Sequence, residues 1–147
     1  MRTKTATWFE CRVKYVKVMD DGMQKTVTEQ YVVDAMSFTE AESCIIEEMQ
    51  QYISGAFEVV DVKKAPYKEV FFADSVAPQW YRLKLDFITL DEKTGKEKSS
   101  RVTYLVEADS LIGALKMVDP AMSGSMADYR AASITDTKIM DVFEKEK

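Results

Sequence analysis

The stretch Trp8-Phe9-Glu10-Cys11-Arg12-Val13-Lys14-Tyr15 decides the fold, because it returns in altered form as Trp80-Tyr81-Arg82-Leu83-Lys84-Leu85-Asp86-Phe87. The second stretch follows the first at an offset of 72 in the numbering. Residues 31–38 match residues 104–111 at an offset of 73, which indicates one extra residue in an intervening turn. We interpret the chain as one supersecondary unit used twice, rather than as a solenoid, which needs more copies to bury a continuous core.

Each copy opens with a predicted β-hairpin. Residues 8–18 alternate apolar with charged side chains over much of their length, the period of a half-buried strand. Asp20-Asp21-Gly22 then predicts a turn, and a second strand is expected from roughly 25 to 35. The second copy repeats this pattern, with its turn at Lys93-Thr94-Gly95.

A helix is predicted after each hairpin. Ser37-Phe38-Thr39-Glu40 is a capping box, in which Ser37 accepts from the Glu40 backbone N–H and the Glu40 carboxylate reaches back to the N-cap amide. The second copy has Gly113 in place of Glu40 and reaches Pro120 early, so its helix is expected to be shorter and weaker. The first helix carries an apolar stripe at helical spacing: Phe38, Ala41, Ile45 and Met49.

The rest of each copy is predicted to be extended. A glycine-containing loop follows each helix, at Ser54-Gly55 and at Ser123-Gly124-Ser125. Each loop leads to a third strand, and a short tail can add a fourth strand at the edge of the sheet. The third strands are expected near 57–63 and 129–135, and the tails near 67–72 and 138–143.

These elements define a ββαβ unit, or ββαββ where the tail adds its strand. Two copies predict an α+β fold, a tandem pseudo-symmetric duplication with mainly antiparallel sheet and helices on one face. The expected boundaries are residues 1–72 for the first repeat, 73–79 for a linker and 80–147 for the second repeat, within one compact pseudo-two-fold domain. The pattern leaves open whether the repeats share one continuous sheet or pack face to face.

The composition indicates a soluble protein. The 147 residues are 46% hydrophobic and 31% charged, which is enough for an ordinary core. A net charge of −5 argues against a protein that coats duplex DNA or anionic membrane. Two cysteines cannot form a disulfide framework, and neither a signal-peptide pattern nor an apolar run of membrane-spanning length is present. We therefore expect a cytoplasmic location and no membrane partner.

No catalytic signature stands out, and no cofactor is expected. The chain contains no histidine, which excludes Ser-His-Asp and Cys-His triads and the common zinc sites. Cys11 and Cys44 each align with an apolar residue of the other copy, so both thiols are interpreted as core groups. The acidic pairs at the hairpin tips, Asp20-Asp21 and Asp91-Glu92, are interpreted as turn residues. A metal-dependent enzyme that uses carboxylates is therefore the least favoured class.

The first strand of each copy carries the strongest functional feature. A tryptophan lies on the side opposite the core-type residues and shares that side with cations. An exposed surface of this kind suits another protein, because Trp and Arg are common interface hot spots, or single-stranded nucleic acid, whose bases stack on indoles. In the alternative interpretation, the rings pack where the halves meet or under the loop before the strand. The predicted binding face is Trp8, Arg12, Lys14, Trp80, Arg82 and Lys84.

We predict a non-enzymatic binding or accessory module. Its leading partner is another protein or a second copy of itself. The alternative is a single-stranded nucleic-acid-binding protein of phage or mobile-element origin, which would also use a secondary basic patch of Lys63, Lys64 and Lys68. The negative net charge places protein binding narrowly ahead.

Four segments carry a resemblance that spans nearly the whole chain: residues 8–13, 32–42, 53–55 and 139–143. They look like an uncharacterised family of small bacterial and phage proteins described as a domain of unknown function. This resemblance implies an intracellular protein associated with bacterial mobile elements or phages. It carries over no activity, cofactor or catalytic residue.

Overall fold

The computed structural model describes residues 2–75, 77–122 and 128–145, and only the backbone of residues 120–122. These residues form nine strands and two helices, arranged in two mainly antiparallel sheets, so the predicted α+β class is confirmed. The predicted loop at 123–125 and the last two residues of the chain lie outside the described residues.

The observed elements follow the predicted order closely, apart from a short first strand that the sequence did not indicate. In chain order they are β1 (Arg2–Lys4), β2 (Trp8–Val18), β3 (Gln24–Asp34), α1 (Phe38–Tyr52), β4 (Phe57–Lys64), β5 (Tyr67–Phe72), β6 (Gln79–Leu90), β7 (Glu97–Ala108), α2 (Leu111–Met122), β8 (Asp128–Asp136) and β9 (Ile139–Phe143).

The chain divides into two compact units. The first unit consists of residues 6–65 and 138–147, and the second unit of residues 1–5 and 66–137. The first unit contains a four-stranded sheet in the order β4-β2-β3-β9, and the second a five-stranded sheet in the order β8-β6-β7-β5-β1. The described strands therefore form two separate sheets and not one continuous sheet.

Both units exchange their tail strands, which the sequence did not predict. The tail that follows β4 is β5, which pairs in parallel with β7 of the second unit. The tail that follows β8 is β9, which pairs in parallel with β3 of the first unit. The compact units therefore do not follow the expected boundaries of 1–72 and 80–147.

The chain leaves each sheet at matching positions. Ala65 N–H donates to Trp8 O at 2.8 Å, and in the second unit Thr137 N–H donates to Trp80 O at 3.2 Å. Pro66 follows immediately after Ala65, and a proline lacks the N–H that would continue an antiparallel ladder. Lys138 follows Thr137 at the matching position, and its tail takes the same kind of path, so the proline is compatible with the exchange but is not required for it.

One face of each sheet packs against its helix, and the predicted inward-facing residues form these cores. In the first unit, Cys11 and Val13 lie in a core with Ile45 and Met49 of α1. The prediction that Phe38 belongs to the buried stripe of α1 is wrong, because its side chain is exposed. Its ring still meets Phe9 edge-on, with centroids 5.1 Å apart. The core of the second unit combines Phe71, Tyr81, Leu83, Leu85, Tyr104, Val106, Ala108, Ala114 and Val118.

A serine side chain caps the start of each helix, which confirms the Ser37 half of the predicted capping box. Ser37 Oγ accepts from Glu40 N at 3.1 Å, and Ser110 Oγ accepts from Gly113 N at 2.9 Å. The Glu40 carboxylate lies 2.7 Å from Lys145 Nζ, so the structure shows an ion pair there. The second helix has 12 residues against 15 in the first, which confirms that it is shorter. Neither helix, in the part of the chain described, is long and apolar enough to cross a membrane.

Candidate functional site

The candidate site lies on the sheet face of the first unit opposite α1. Side chains alternate along a strand, and Cys11 and Val13 of β2 belong to the helix-side core. Their neighbours on β2 therefore point to the other face of the sheet. We call the exposed part of that face the open face, defined by Arg12, Lys14, Val16 and Val18.

Both tryptophans are buried, which corrects the expectation of exposed indoles. Trp8 is 1% exposed and Trp80 is 4% exposed. Trp80 meets Phe72 edge-on, with ring centroids 5.7 Å apart. An indole carries a large apolar area, and removing that area from water favours the folded state. The rings are packed, so they do not form a surface on which bases can stack.

The same face becomes exposed further along β2. Trp8 and Glu10 are buried, whereas the four residues of the open face are exposed. Beyond the open face, Met19 and Met23 are also exposed at the hairpin turn. The accessible surface therefore combines cations with aliphatic side chains. Continuing the period-two alternation past Lys14 places Val16 and Val18 on this face, but the alternation alone does not indicate that they are exposed.

Opposite charges alternate across β2 and β4. The Lys63 ammonium lies 3.8 Å from the buried Glu10 carboxylate. Carboxylates stand in register with both cations of the open face, so its local charge is balanced. The cross-strand pairs are Glu10 with Lys63, Arg12 with Asp61, and Lys14 with Glu58.

A small cavity of about 210 Å³ borders the open face. Arg12 and Lys138 contribute charge, and Thr28 and Gln30 contribute neutral polar groups. Lys138 comes from the segment just before β9, so the exchanged tail completes this cavity. The sequence did not point to Lys138, because its place beside Arg12 depends on the parallel pairing of β9 with β3.

A second cavity has a volume of about 310 Å³ and lies where the start of β4 meets β2. Its lining includes Lys14, Val16 and Phe57. Tyr15 also lines it, and its hydroxyl donates to Glu29 at 2.7 Å. Burial, together with this hydrogen bond, raises the pKa of Tyr15 to about 12. The phenol is therefore protonated at neutral pH and acts as a fixed donor that links β2 to β3.

The equivalent face of the second unit is occupied by its own ion pairs. Asp86 accepts from Arg101 Nε at 2.8 Å and from Arg101 Nη2 at 3.2 Å, and Arg130 lies 3.7 Å away. The hydrogen bond from Arg101 lowers the pKa of Asp86, despite its burial. Arg82 donates to the Tyr67 hydroxyl at 3.1 Å, and Lys84 is half-buried. These cations are less available to a partner than Arg12 and Lys14.

The predicted secondary basic patch is divided between the units. Lys63 and Lys64 lie on β4 in the first unit, whereas Lys68 lies on β5 in the second. All three side chains are exposed. Because the tail strand is exchanged, the three lysines belong to different units.

Both cysteines have the character of core residues, as predicted. Cys11 is fully buried, and burial raises the pKa of its thiol to about 12. Burial and the neighbouring Glu48 also raise the pKa of Cys44. Both thiols are protonated at neutral pH and are therefore weak nucleophiles.

The acidic hairpin tips serve as turns. Asp21 accepts from Met23 N at 2.9 Å, and Asp91 accepts from Lys93 N at 3.0 Å. Within the described ranges, no three cysteine, aspartate or glutamate side chains are grouped so that they could hold a metal ion.

The fold and the open face define a two-sheet α+β protein with an exposed, charge-balanced strand surface. Residues 7–145 match the family model described as "Domain of unknown function (DUF4494)". The chain belongs to this family, which confirms the resemblance seen in the sequence. No curated protein and no solved structure matches the chain.

Proposed function

We propose that this protein is a non-enzymatic binding module that captures another protein through the open face. The observation that carries the proposal is the exposure of Val16 and Val18 beside Arg12 and Lys14 on one strand. Neighbouring apolar side chains left in water are a mark of interaction surfaces. β2 pairs with β3 as far as Val18 and with β4 as far as Tyr15, so Arg12 and Lys14 lie on a strand held from both sides and Val16 and Val18 on a strand held from one. This backbone pairing limits the loss of entropy on binding.

Charge balance favours a protein partner over nucleic acid. Each cation of the open face has a carboxylate in register on β4, and the whole chain carries a charge of −5. Binding to phosphates needs a net positive surface that releases counterions. The buried indoles also remove the stacking surface that single strands use.

Single-stranded nucleic acid remains the alternative, and one observation favours it. The cavity that contains Arg12 and Lys138 brings two cations next to the hydroxyl of Thr28 and the amide of Gln30. Groups of these types contact phosphate oxygens. Binding of this kind would weaken steeply as salt is raised, whereas binding through Val16 and Val18 would change little.

We further propose that the two units descend from one duplicated ββαβ motif. The strand orders β4-β2-β3-β9 and β8-β6-β7-β5 support this origin. The register shifts after Arg12 in β2 and after Lys84 in β6, which are equivalent positions of the two copies. Gly22 and Gly95 both take positive φ in the hairpin turns. Under this proposal, one copy kept an open face while the other filled its own.

The chain offers a matched pair of variants that tests the proposed function. Val18 is 65% exposed, and Leu90, its equivalent in the second copy, is 64% exposed. Val18→Asp and Leu90→Asp thus introduce the same charge at equivalent and equally exposed positions. Tagged protein is used to capture partners from native lysate, with and without nuclease treatment. We expect one protein to be captured by the wild type and by Leu90→Asp, but not by Val18→Asp.

Two results would contradict this function. If capture disappears after nuclease treatment, nucleic acid is the partner. If both variants lose the same partner equally, the open face does not determine binding. Circular dichroism and thermal unfolding of the variants show that the aspartate has not disturbed the fold.

A further inference from the structure

The face of the first unit that contains the open face carries its charges in two adjacent rows. The cations Arg12 and Lys14 lie on β2, and the carboxylates of Asp61 and Glu58 lie opposite them on β4. Residues that stand opposite each other in an antiparallel pair share one face of the sheet, and all four of these side chains are exposed. None of the four forms an ion pair with another residue in the described part of the chain. Both rows therefore present their charges to a partner.

Two adjacent rows of opposite charge make this surface complementary to itself. A two-fold axis parallel to β2 and midway between the rows turns the cations of one copy onto the carboxylates of another. Arg12 then faces Asp61 of the second copy, and Lys14 faces Glu58 of the second copy. A two-fold axis that runs across the strands would place cations on cations, so charge selects the first arrangement.

The same arrangement provides a place for an exposed valine. The pairing of β4 with β2 ends where Phe57 stands opposite Tyr15, so no described residue of β4 pairs with Val16. The cavity of about 310 Å³ lies at this place, and Val16 and Ala56 both line it. The two-fold axis sets Val16 of each copy over this cavity in the other copy. Removing the two valines from water there favours association.

From the charged rows and the cavity we infer that the protein captured through the open face is a second copy of the same chain. The inference rests on the proposed function, because it names the partner of that same surface. The two sheets pack face to face with their strands aligned, at the separation of about 10 Å that is usual for stacked sheets. The long side chains of Arg12 and Lys14 extend across this gap to the carboxylates and fix the register of the dimer.

The second unit does not repeat this complementarity. Arg82 and Lys84 of β6 stand opposite the uncharged Thr135 and Ser133 of β8. A two-fold axis of the same kind would therefore place these cations over hydroxyl groups. The carboxylate of this β6 row, Asp86, is already held within the chain by an ion pair. Because the complementary patch occurs on one unit and faces itself in the complex, the assembly ends at a dimer.

Charge reversal of each row tests the inference on the full-length chain. The first variant makes the cation row acidic by Arg12→Glu with Lys14→Glu. The second variant makes the carboxylate row basic by Asp61→Lys with Glu58→Lys. Sedimentation velocity over a range of protein concentrations measures the dissociation constant of the dimer. We expect the wild type to dimerise, and each variant alone to bind itself about a hundredfold or more weakly, because like charges then face each other.

Two combinations of these changes should restore the dimer. In an equimolar mixture of the two variants, an acidic row faces a basic row on both sides of the axis, so a heterodimer is expected. A third variant carries all four reversals and keeps the net charge of the wild type. Its rows have exchanged signs but remain complementary, so it should dimerise as the wild type does.

The matched control reverses two cations on the other face of the same hairpin. Lys17 and Lys25 stand opposite each other on β2 and β3, one position out of phase with the open face. Lys17→Glu with Lys25→Glu makes the same change in net charge as the first variant and should leave the dimer unchanged. Val16→Asp should weaken the dimer by about tenfold or more, because its carboxylate would be buried over the cavity of the second copy. Circular dichroism confirms that each variant is folded.

Three results would overturn the inference. The wild type could be a monomer at every concentration, the mixture of the two variants could fail to form a heterodimer, or the control could lose the dimer as fully as the first variant does. The last result would indicate an effect of overall charge.

Failure of the inference is distinguishable from failure of the proposed function. If the wild type is a monomer and Val18→Asp abolishes capture of a different protein from lysate, the open face binds that protein and only the inference fails. If Val18→Asp retains both the dimer and the captured protein, both proposals fail.

Discussion

The same sheet face is exposed from Arg12 to Val18 in the first unit and is partly covered by the Asp86–Arg101 ion pair in the second, and a difference at one position accounts for much of this contrast. Lys14 of β2 aligns with Asp86 of β6 when residues 8–15 are matched to residues 80–87. Lys14 is exposed, whereas Asp86 is 5% exposed and accepts two hydrogen bonds from Arg101. Arg101 stands opposite Asp86 on β7, as Thr28 stands opposite Lys14 on β3.

The contrast shows how a pair of residues decides the availability of a face. A bidentate pair of arginine with carboxylate satisfies both charges within the sheet. In the first unit, Lys14 stands opposite the uncharged Thr28 of β3, so its ammonium stays accessible. The two units share their arrangement of strands and helix, and the cross-strand residues decide which unit leaves its cations accessible.

The largest expected effect is a loss of stability when the buried side of either helix is shortened. Ile45 of α1 and Val118 of α2 are both fully buried, each in the core between its helix and its sheet. Ile45→Ala should lower the free energy of unfolding by about 2–5 kcal/mol, and Val118→Ala by less because fewer carbons are removed. Urea denaturation followed by circular dichroism measures both. If Val118→Ala lowers the free energy of unfolding as much as Ile45→Ala does, the two helices do not pack on their sheets in the way we describe.

The second prediction concerns the ion pair that fills the face of the second unit. The folded-state pKa of Asp86 is lowered, first of all by the hydrogen bond from Arg101. Its contribution to stability is therefore present above the unfolded pKa, about 3.9, and is lost as pH falls through the folded value. Asp86→Asn should lower the melting temperature at pH 7, and the difference from the wild type should shrink below about pH 4. Thermal unfolding at several pH values measures it.

The control for this prediction is the matched residue of the first unit. Lys14→Gln should change the melting temperature little at either pH, because exposed charges contribute little to stability. The ion pair would not explain the contrast between the units if the effect of Asp86→Asn were the same at every pH.

Local patterns predicted the elements because local physics fixes them. The alternation from Trp8 gives a strand that ends at Val18, and Ser37 caps α1 by accepting from Glu40 N. Inward-facing residues such as Cys11 and Ile45 followed from the same periodicities. These features depend on neighbours within a few residues, and therefore one sequence is enough to find them.

The exchanged tails and the exposure of the face could not be predicted in this way. Strand periodicity places Trp8 and Val18 on the same side of β2 but does not say that one is buried and the other exposed. The pairing of β5 with β7 joins residues that are distant in the chain, such as Tyr67 and Thr103, and no local signal specifies it. The cavity residue Lys138 depends on the same kind of distant pairing.

A smaller effect is expected at the hairpin turns, where the two units agree. Gly22 has a φ of +83° and Gly95 a φ of +71°, in the region that disfavours a Cβ atom. Gly22→Ala and Gly95→Ala should each cost about 1–2 kcal/mol in the free energy of unfolding. Gly55 has no such φ and open space around it, so Gly55→Ala serves as the control and should be close to neutral. Unequal losses at the two turns would argue against a common turn geometry.

The smallest expected effect is at Trp8, the residue that first suggested an exposed binding face. Its indole is buried, and Nε1 has no hydrogen-bond partner among the described residues. Trp8→Phe gives up buried apolar area but also removes an unpaired donor, whose burial costs about 1–3 kcal/mol. The two changes oppose each other, so the net loss of stability in urea denaturation should stay within about 1 kcal/mol. Trp80→Phe is the matched comparison. Trp80 Nε1 is not among the buried donors without a partner, and the Trp80 ring packs against Phe72. Trp80→Phe should therefore lower the free energy of unfolding by more than Trp8→Phe. A larger loss at Trp8 than at Trp80 would mean that the Trp8 indole has a polar contact that the structure does not show.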